Sequence, residues 1–222
     1  MAGYDSLILD HDGVLVSIVD SDTRIRTCCR RAADAFRDVG VVPDAETIEK
    51  LAFSVSPDEL HSLSDRFDAT PERLWRCRDD LLAAVLKDAA RNGEKAPYPD
   101  VEVLSRLDVP LGIASNNQHR IVSFVVEEHG LDDHFETIHA REPTLDSLDE
   151  KKPSPTYLRR AKADLGVSNP LYVGDKEKDV VAGKRAGIDV AFLRRDHNAD
   201  RSLAVEPTHE VSSLEAVAPM VD

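Results

Sequence analysis

The sequence predicts an α/β protein: a doubly wound parallel sheet of the Rossmann-like kind, interrupted by an all-helical insertion. Two observations carry this reading. Short apolar runs alternate with segments of helical periodicity through the second half of the chain, the pattern left by right-handed crossovers between parallel strands. Between the first apolar run and the next, from about Asp20 to Gly93, the periodicity is helical alone.

Ser6–Leu9 is the first run; its brevity and the Gly13 that follows it mark a buried strand entering a tight turn. Ile25, Cys28, Cys29, Ala32, Ala33 and Phe36 then recur at i, i+3, i+4 spacing and form one apolar face. This places Cys28 and Cys29 in a core rather than at a reactive site. Ser56-Pro57-Asp58-Glu59 reads as a capping box with proline at the first helical position. Thr70-Pro71 opens another helix, with Leu74, Leu81, Leu82, Val85 and Leu86 on one side and Gly93 as its stop. Leu111–Ala114 is a buried strand, Ile121–His129 a helix ended by Gly130, and Glu136–His139 a strand. Pro155–Leu165 (helix), Leu171–Val173 (strand), Val180–Ala186 (helix) and Val190–Leu193 (strand) continue the alternation. Glu210-Val211 and Leu214–Val217 read as a last edge strand and helix, and Leu15–Val19 and Asn92–Pro99 as linkers.

Composition narrows the possible functions. At 222 residues the chain is one large domain, or one domain carrying an insertion, and buries its core without staples. No apolar run approaches the ~20 residues of a membrane span, and the N-terminus lacks the pattern of a signal peptide, so no membrane partner is expected. Three cysteines without metal-ligand spacing fit a reducing cytoplasm. Acidic residues outnumber basic ones 42 to 28, with 27 Asp and only 9 Lys, for a net charge of −14. No basic stripe offsets the acid, which excludes nucleic acid as a partner. Excess acid with scarce lysine fits a salt-loaded, halophilic setting, where a Debye length of ~3 Å at molar salt screens self-repulsion.

Ligands of open parallel sheets bind at the carboxyl ends of strands. Asp10, His11, Asp12 and Gly13 follow the first strand, and Ser115, Asn116 and Asn117 the second. Lys151, Lys152 and Pro153 precede the helix at Pro155, and Gly174, Asp175 and Asp179 follow the next strand. Carboxylates with few neutral donors suit Mg²⁺, while a hydroxyl, backbone N–H groups and a lysine suit phosphate oxygens. A carboxylate beside them can attack phosphorus.

These residues resemble the haloacid dehalogenase superfamily in its phosphatase branch. Asp10-His11-Asp12-Gly13-Val14, Ser115 with Asn116, Lys152-Pro153 and Gly174-Asp175-Lys176-Glu177-Lys178-Asp179 stand for its four motifs in order, and the resemblance spans residues 5–217. It implies a core of residues 1–16 and 98–222 and a helical cap of residues 17–97, as in phosphoglycolate phosphatase-like members. It implies Asp10 as nucleophile and Asp12 as the acid and base. Ser115 and the Asn116 N–H would bind the phosphoryl group, with Lys152 neutralising its charge. Asp10, the Asp12 carbonyl and Asp175 would bind Mg²⁺, with Asp179 a direct or outer ligand. Two positions stand out: His11 replaces the usual apolar residue, and Lys176 stands where a small residue is frequent. Arg24, Arg66, Trp75 and Arg78 could reach a substrate from the cap.

The implied activity is Mg²⁺-dependent hydrolysis of a small phosphorylated metabolite, phosphoglycolate or a sugar phosphate, through an aspartyl-phosphate. Alternatives are a phosphosugar mutase of the same superfamily and a non-catalytic or receiver-like, phospho-accepting binding protein; the metal-free dehalogenase branch is disfavoured by Asp12, Asp175 and Asp179. Monomer and homodimer are equally open.

Overall fold

The computed structural model describes residues 3–40, 42–53 and 55–221; the outer bounds of the expected core, residues 1 and 222, lie outside them. Its backbone divides into two compact units, residues 1–18, 96–141 and 148–222 in the first and residues 19–95 and 142–147 in the second.

The first unit is built on β1 (Ser6–Leu9), β2 (Leu111–Gln118), β3 (Thr137–Arg141), β4 (Pro170–Gly174), β5 (Asp189–Leu193) and β6 (His209–Val211). They form one sheet in the order β3-β2-β1-β4-β5-β6, and every pairing is parallel. The predicted doubly wound α/β sheet is the fold of this unit. Parallel strands need both faces covered, and β1 and β4 are buried along their whole length. Ile8, Ala114, Tyr172, Val190 and Phe192 line a cluster with Tyr157, Leu158 and Ala161 of α6 (Thr156–Leu165) and Val180 and Ala182 of α7 (Glu177–Ala186). The helix α5 (His119–Glu128) packs on β2 and β3 with Ile121, Val122, Val125 and Val126 buried. Chain order runs outward from β1 to β3 and then returns to β4 on the other side of β1, so the order reverses between β1 and β4. That switch point opens a crevice at the carboxyl ends of these two strands.

Some boundaries differ from the expectation for local reasons. The helix α7 starts at Glu177 rather than Val180, because the Asp179 carboxylate accepts the Lys176 N–H at 2.9 Å and tightens the first turn. The expected last helix at Leu214–Val217 is a 3-10 turn, Leu214–Ala216, capped by the Ser213 hydroxyl. The segments flanking the helical insertion pair with each other: Ser17 N–H bonds to the Ala96 carbonyl and Tyr98 N–H to the Leu15 carbonyl.

The second unit consists of α1 (Ser21–Ala35), α2 (Ala45–Phe53), α3 (Pro57–Phe67) and α4 (Pro71–Arg91). The capping box read from Ser56 and Glu59 is present at the start of α3, and the Thr70 hydroxyl caps α4. The central helix α4 buries Leu74, Trp75, Leu81, Leu82, Val85 and Leu86. Arg78 pairs with the fully buried Asp79 at 2.6 Å and donates to the Leu51 and Ala52 carbonyls, satisfying the last turn of α2.

Candidate active site

Asp10 stands at the carboxyl end of β1, where its N–H bonds to the Val173 carbonyl of β4. Its Oδ1 accepts the His11 N–H at 2.8 Å and the Lys152 ammonium at 2.9 Å. Lys152, just before α6, is fully buried. Its Nζ also reaches Asp179 Oδ1 (2.8 Å), the Ala114 carbonyl (3.0 Å) and the Tyr172 hydroxyl (2.7 Å). The Tyr172 hydroxyl in turn donates to Asp179 Oδ1 at 3.1 Å. The Asn116 side chain holds the Lys152 backbone from both sides, accepting its N–H at 2.7 Å and donating to its carbonyl at 3.0 Å. Lys152–Pro153 is a cis peptide.

Asp12 lies one residue beyond His11 in a closed turn, in which the Leu15 and Val16 N–H groups both bond to the His11 carbonyl. Its carboxylate takes the Asn117 side-chain amide at 2.7 Å and lies 3.3 Å from His11 Nδ1. His11 is buried and the Asp12 side chain is 26% exposed, so this carboxylate can meet solvent. Gly13 has φ +90°, and a Cβ there would fall 2.2 Å from Asp175 Oδ2. Only glycine lets the turn approach β4 so closely. Ser115 is buried in β2, and its hydroxyl accepts the Asn117 N–H at 3.2 Å.

Asp175 follows β4 and is held on both oxygens: His197 Nε2 lies 2.7 Å from Oδ2, and Lys176 Nζ 3.1 Å from Oδ1. Lys176 Nζ also lies 3.4 Å from the Asp12 carbonyl. The Asn198 amide bonds to the Asp175 and Leu193 carbonyls. Arg195 stacks on Tyr98 and donates to the Gly13 and Val14 carbonyls, tying the segment after β5 to the Asp12 turn.

The electrostatics follow from burial and charge. Burial opposes ionisation of Asp10, but Lys152 and Lys176 outweigh it and its pKa is lowered. Burial opposes the Lys152 charge too, and Asp10 and Asp179 raise its pKa all the same. Lys176 is raised in the same way by Asp10, Asp175 and Asp12. Asp179, desolvated and beside Asp10 and Asp175, is shifted upward despite Lys152. Asp10, Asp175 and Asp179 can each present one carboxylate oxygen within 4.8 Å of the others. An all-oxygen donor set of this kind suits Mg²⁺, and beside it the Lys176 ammonium contacts Asp175 and the Asp12 carbonyl.

The seven residues singled out from sequence therefore gather at one sheet edge. Asn117, named from sequence at the same strand end, belongs with them, and so do Tyr172, His197, Asn198 and Arg195, which position along the chain does not mark. The polar run Arg194–Asn198 directly after an apolar strand is the available signal; Tyr172 reads as core because it lies inside a strand. The substrate-reaching candidates of the helical unit are engaged locally: Arg24 lies over Phe53, Arg66 pairs with Asp44, and Trp75 is buried beside Arg78.

Residues 7–193 match the family model of the haloacid dehalogenase-like hydrolases. This chain belongs to that family. Over 97 residues it is 39% identical to a phosphoglycolate phosphatase of Neisseria meningitidis, a match covering 41% of this chain and 40% of that protein. Over 132 residues it is 31% identical to phosphoglycolate phosphatase 1 of Pseudomonas aeruginosa, covering 56% and 47%. The matched stretches thus span about half or less of these relatives' length. Among solved structures, CbbY from Rhodobacter sphaeroides in complex with phosphate superposes with a TM-score of 0.67 at 19% identity, covering 97% of this chain and 99% of that one. That likeness concerns the fold alone.

Proposed function

We propose that this chain is a phosphatase that hydrolyses a small phosphate monoester through an aspartyl-phosphate on Asp10. One observation carries the reading. Among the described residues, the His11 N–H and Lys152 both donate to Oδ1 of the Asp10 carboxylate. The group is thereby fixed by one oxygen and offers Oδ2 as nucleophile, ionised because its pKa is lowered.

In the first step Asp10 Oδ2 bonds to phosphorus, the bond to the ester oxygen breaks, and protonated Asp12 gives its proton to that leaving oxygen. In the second step Asp12, now a carboxylate, takes a proton from water. The water oxygen bonds to phosphorus, the acyl-phosphate bond breaks, and Asp10 is regenerated. Ser115 and the Asn116 N–H bind the phosphoryl oxygens, and Lys152 offsets their charge. Asp10, the Asp12 carbonyl and Asp175 are the groups that hold Mg²⁺, and the ion supplies charge neutralisation on the phosphoryl oxygens. Asp179, bonded to Lys152, Tyr172 and the Lys176 N–H, acts mainly as the lysine's counter-ion. In this reading residues 17–97 are the cap that selects the substrate, and the names of the matched relatives put phosphoglycolate first on the panel to be tested.

The test is phosphate release from p-nitrophenyl phosphate and a metabolite panel with Mg²⁺. Asp10→Asn should abolish turnover with an unchanged circular dichroism spectrum, and EDTA should suppress it. Undiminished hydrolysis by that variant overturns the nucleophile assignment.

A further inference from the structure

Lys176 is a lysine at a helix N-cap, where a side chain normally accepts the N–H groups of the first turn. An ammonium cannot accept. Its backbone N–H is instead received by Asp179, and its side chain leaves the helix start for the acid cluster. There it contacts Asp175 Oδ1 at 3.1 Å and the Asp12 carbonyl at 3.4 Å. These are two of the three groups assigned above to the divalent cation. Lys152 is the contrasting case: it is sealed in, with two carboxylates, a carbonyl and a hydroxyl around it, and cannot leave. Lys176 has fewer partners and its side chain is 29% exposed, so it has a path to solvent.

The charges require such a group. Asp10, Asp175 and Asp179 are buried, with Lys152 between the first and the last. Asp175 has no share in Lys152, and an unpaired buried carboxylate is strongly unfavourable. His197 on one oxygen and Lys176 on the other supply its partners.

We infer that Lys176 is a tethered counter-ion which occupies the divalent-cation position in the metal-free protein and must swing out when the metal enters. The inference rests on the metal assignment of the proposed function. It makes Lys176 a positioning residue whose presence weakens metal binding while preserving the acid cluster without metal.

The test is calorimetric titration of the full chain with MgCl₂ at fixed ionic strength, for the wild type, Lys176→Met and Lys176→Ser, together with thermal melting in EDTA and in excess Mg²⁺. Methionine keeps the length without the charge, and serine restores an N-cap acceptor should the methionine variant fold poorly. Both variants should bind Mg²⁺ roughly tenfold more tightly or better, the scale set by removing a like charge a few ångströms away, discounted for its partial exposure. The Lys176→Met variant should melt below the wild type in EDTA and recover in Mg²⁺. Binding by the variants alone, with none by the wild type, also supports the inference. Equal or weaker binding by the variants overturns it, as does absence of binding in all three proteins, which sinks the metal assignment as well. Phosphate release by the wild type is measured in parallel, so failure of the phosphatase reading is seen separately.

Discussion

Replacing Lys152 by methionine would test whether this one ammonium organises the site. Its Nζ lies 2.9 Å from Asp10 and 2.8 Å from Asp179, and the side chain is fully buried. At that separation each pair interacts by roughly 5–6 kcal/mol at an effective dielectric near 20. Most of this is offset by desolvation, and breaking a buried pair by removing one partner costs about 3–5 kcal/mol net. Urea unfolding followed by circular dichroism at pH 7.5 should show a loss of that size. The loss should depend on pH in a definite direction. Without the ammonium, the pKa of Asp10 rises above the unfolded value of ~3.9, and that of Asp179, already raised, rises further. The folded variant then binds more protons than the unfolded chain across the intervening range, so its stability increases as pH falls from 8 toward 5. Adding Asp179→Asn removes one of the stranded charges and should return about 1–2 kcal/mol. A variant within about 1 kcal/mol of the wild type, or one that grows more stable with rising pH, would refute the reasoning.

Three further outcomes are expected. His197→Ala removes the 2.7 Å contact that orients Asp175 and should weaken Mg²⁺ binding about 10–100-fold, as loss of outer-shell partners does; unchanged affinity in a calorimetric titration counts against that role. Asp5 is partly desolvated, but its carboxylate accepts the Asn169 and Ser168 N–H groups and its pKa is lowered. Asp5→Asn should therefore destabilise the protein at pH 7, and the difference from wild type should disappear as pH falls through the depressed folded pKa, below ~3.9; a gap that widens in acid has the wrong sign. With a net charge of −14, raising KCl from 0.1 to 1 M shortens the Debye length from ~10 to ~3 Å and should raise the melting temperature. A melting temperature that is highest in dilute buffer would make the acidity a matter of composition alone.

Some of this molecule is read readily along the chain because the responsible physics is local. A buried parallel strand must be short and apolar, so Ser6–Leu9 and Val190–Leu193 announce themselves. A helix start needs an acceptor, so Ser56 with Glu59 and Thr70 with Pro71 mark α3 and α4. Asp10, Ser115 and Asp175 stand directly after apolar runs, Asp12 and Asp179 a short way beyond the first and last of them, and Lys152 just before α6. An open sheet brings those ends together, which is why position alone marks them. Arg195, His197 and Asn198 stand after β5 in the same way, but a run of charged and polar residues at a strand end also looks like an ordinary solvated loop, so nothing along the chain sets them apart. Tyr172 was hidden for another reason: its ring packs as a core residue while its hydroxyl serves Lys152 and Asp179, and a one-letter reading shows only the ring.

By itself, then, the amino-acid order determined the alternation of elements, the parallel character of the sheet and the set of charged groups at its edge, because periodicity and capping act over a few residues. Which charge meets which was decided only by the tertiary structure. Lys152 and Lys176 are separated by one helix and one strand, yet one is sealed between Asp10 and Asp179 and the other lies partly open against Asp175. Coulomb energies and desolvation depend on distances and burial that exist only once β1 and β4 lie side by side.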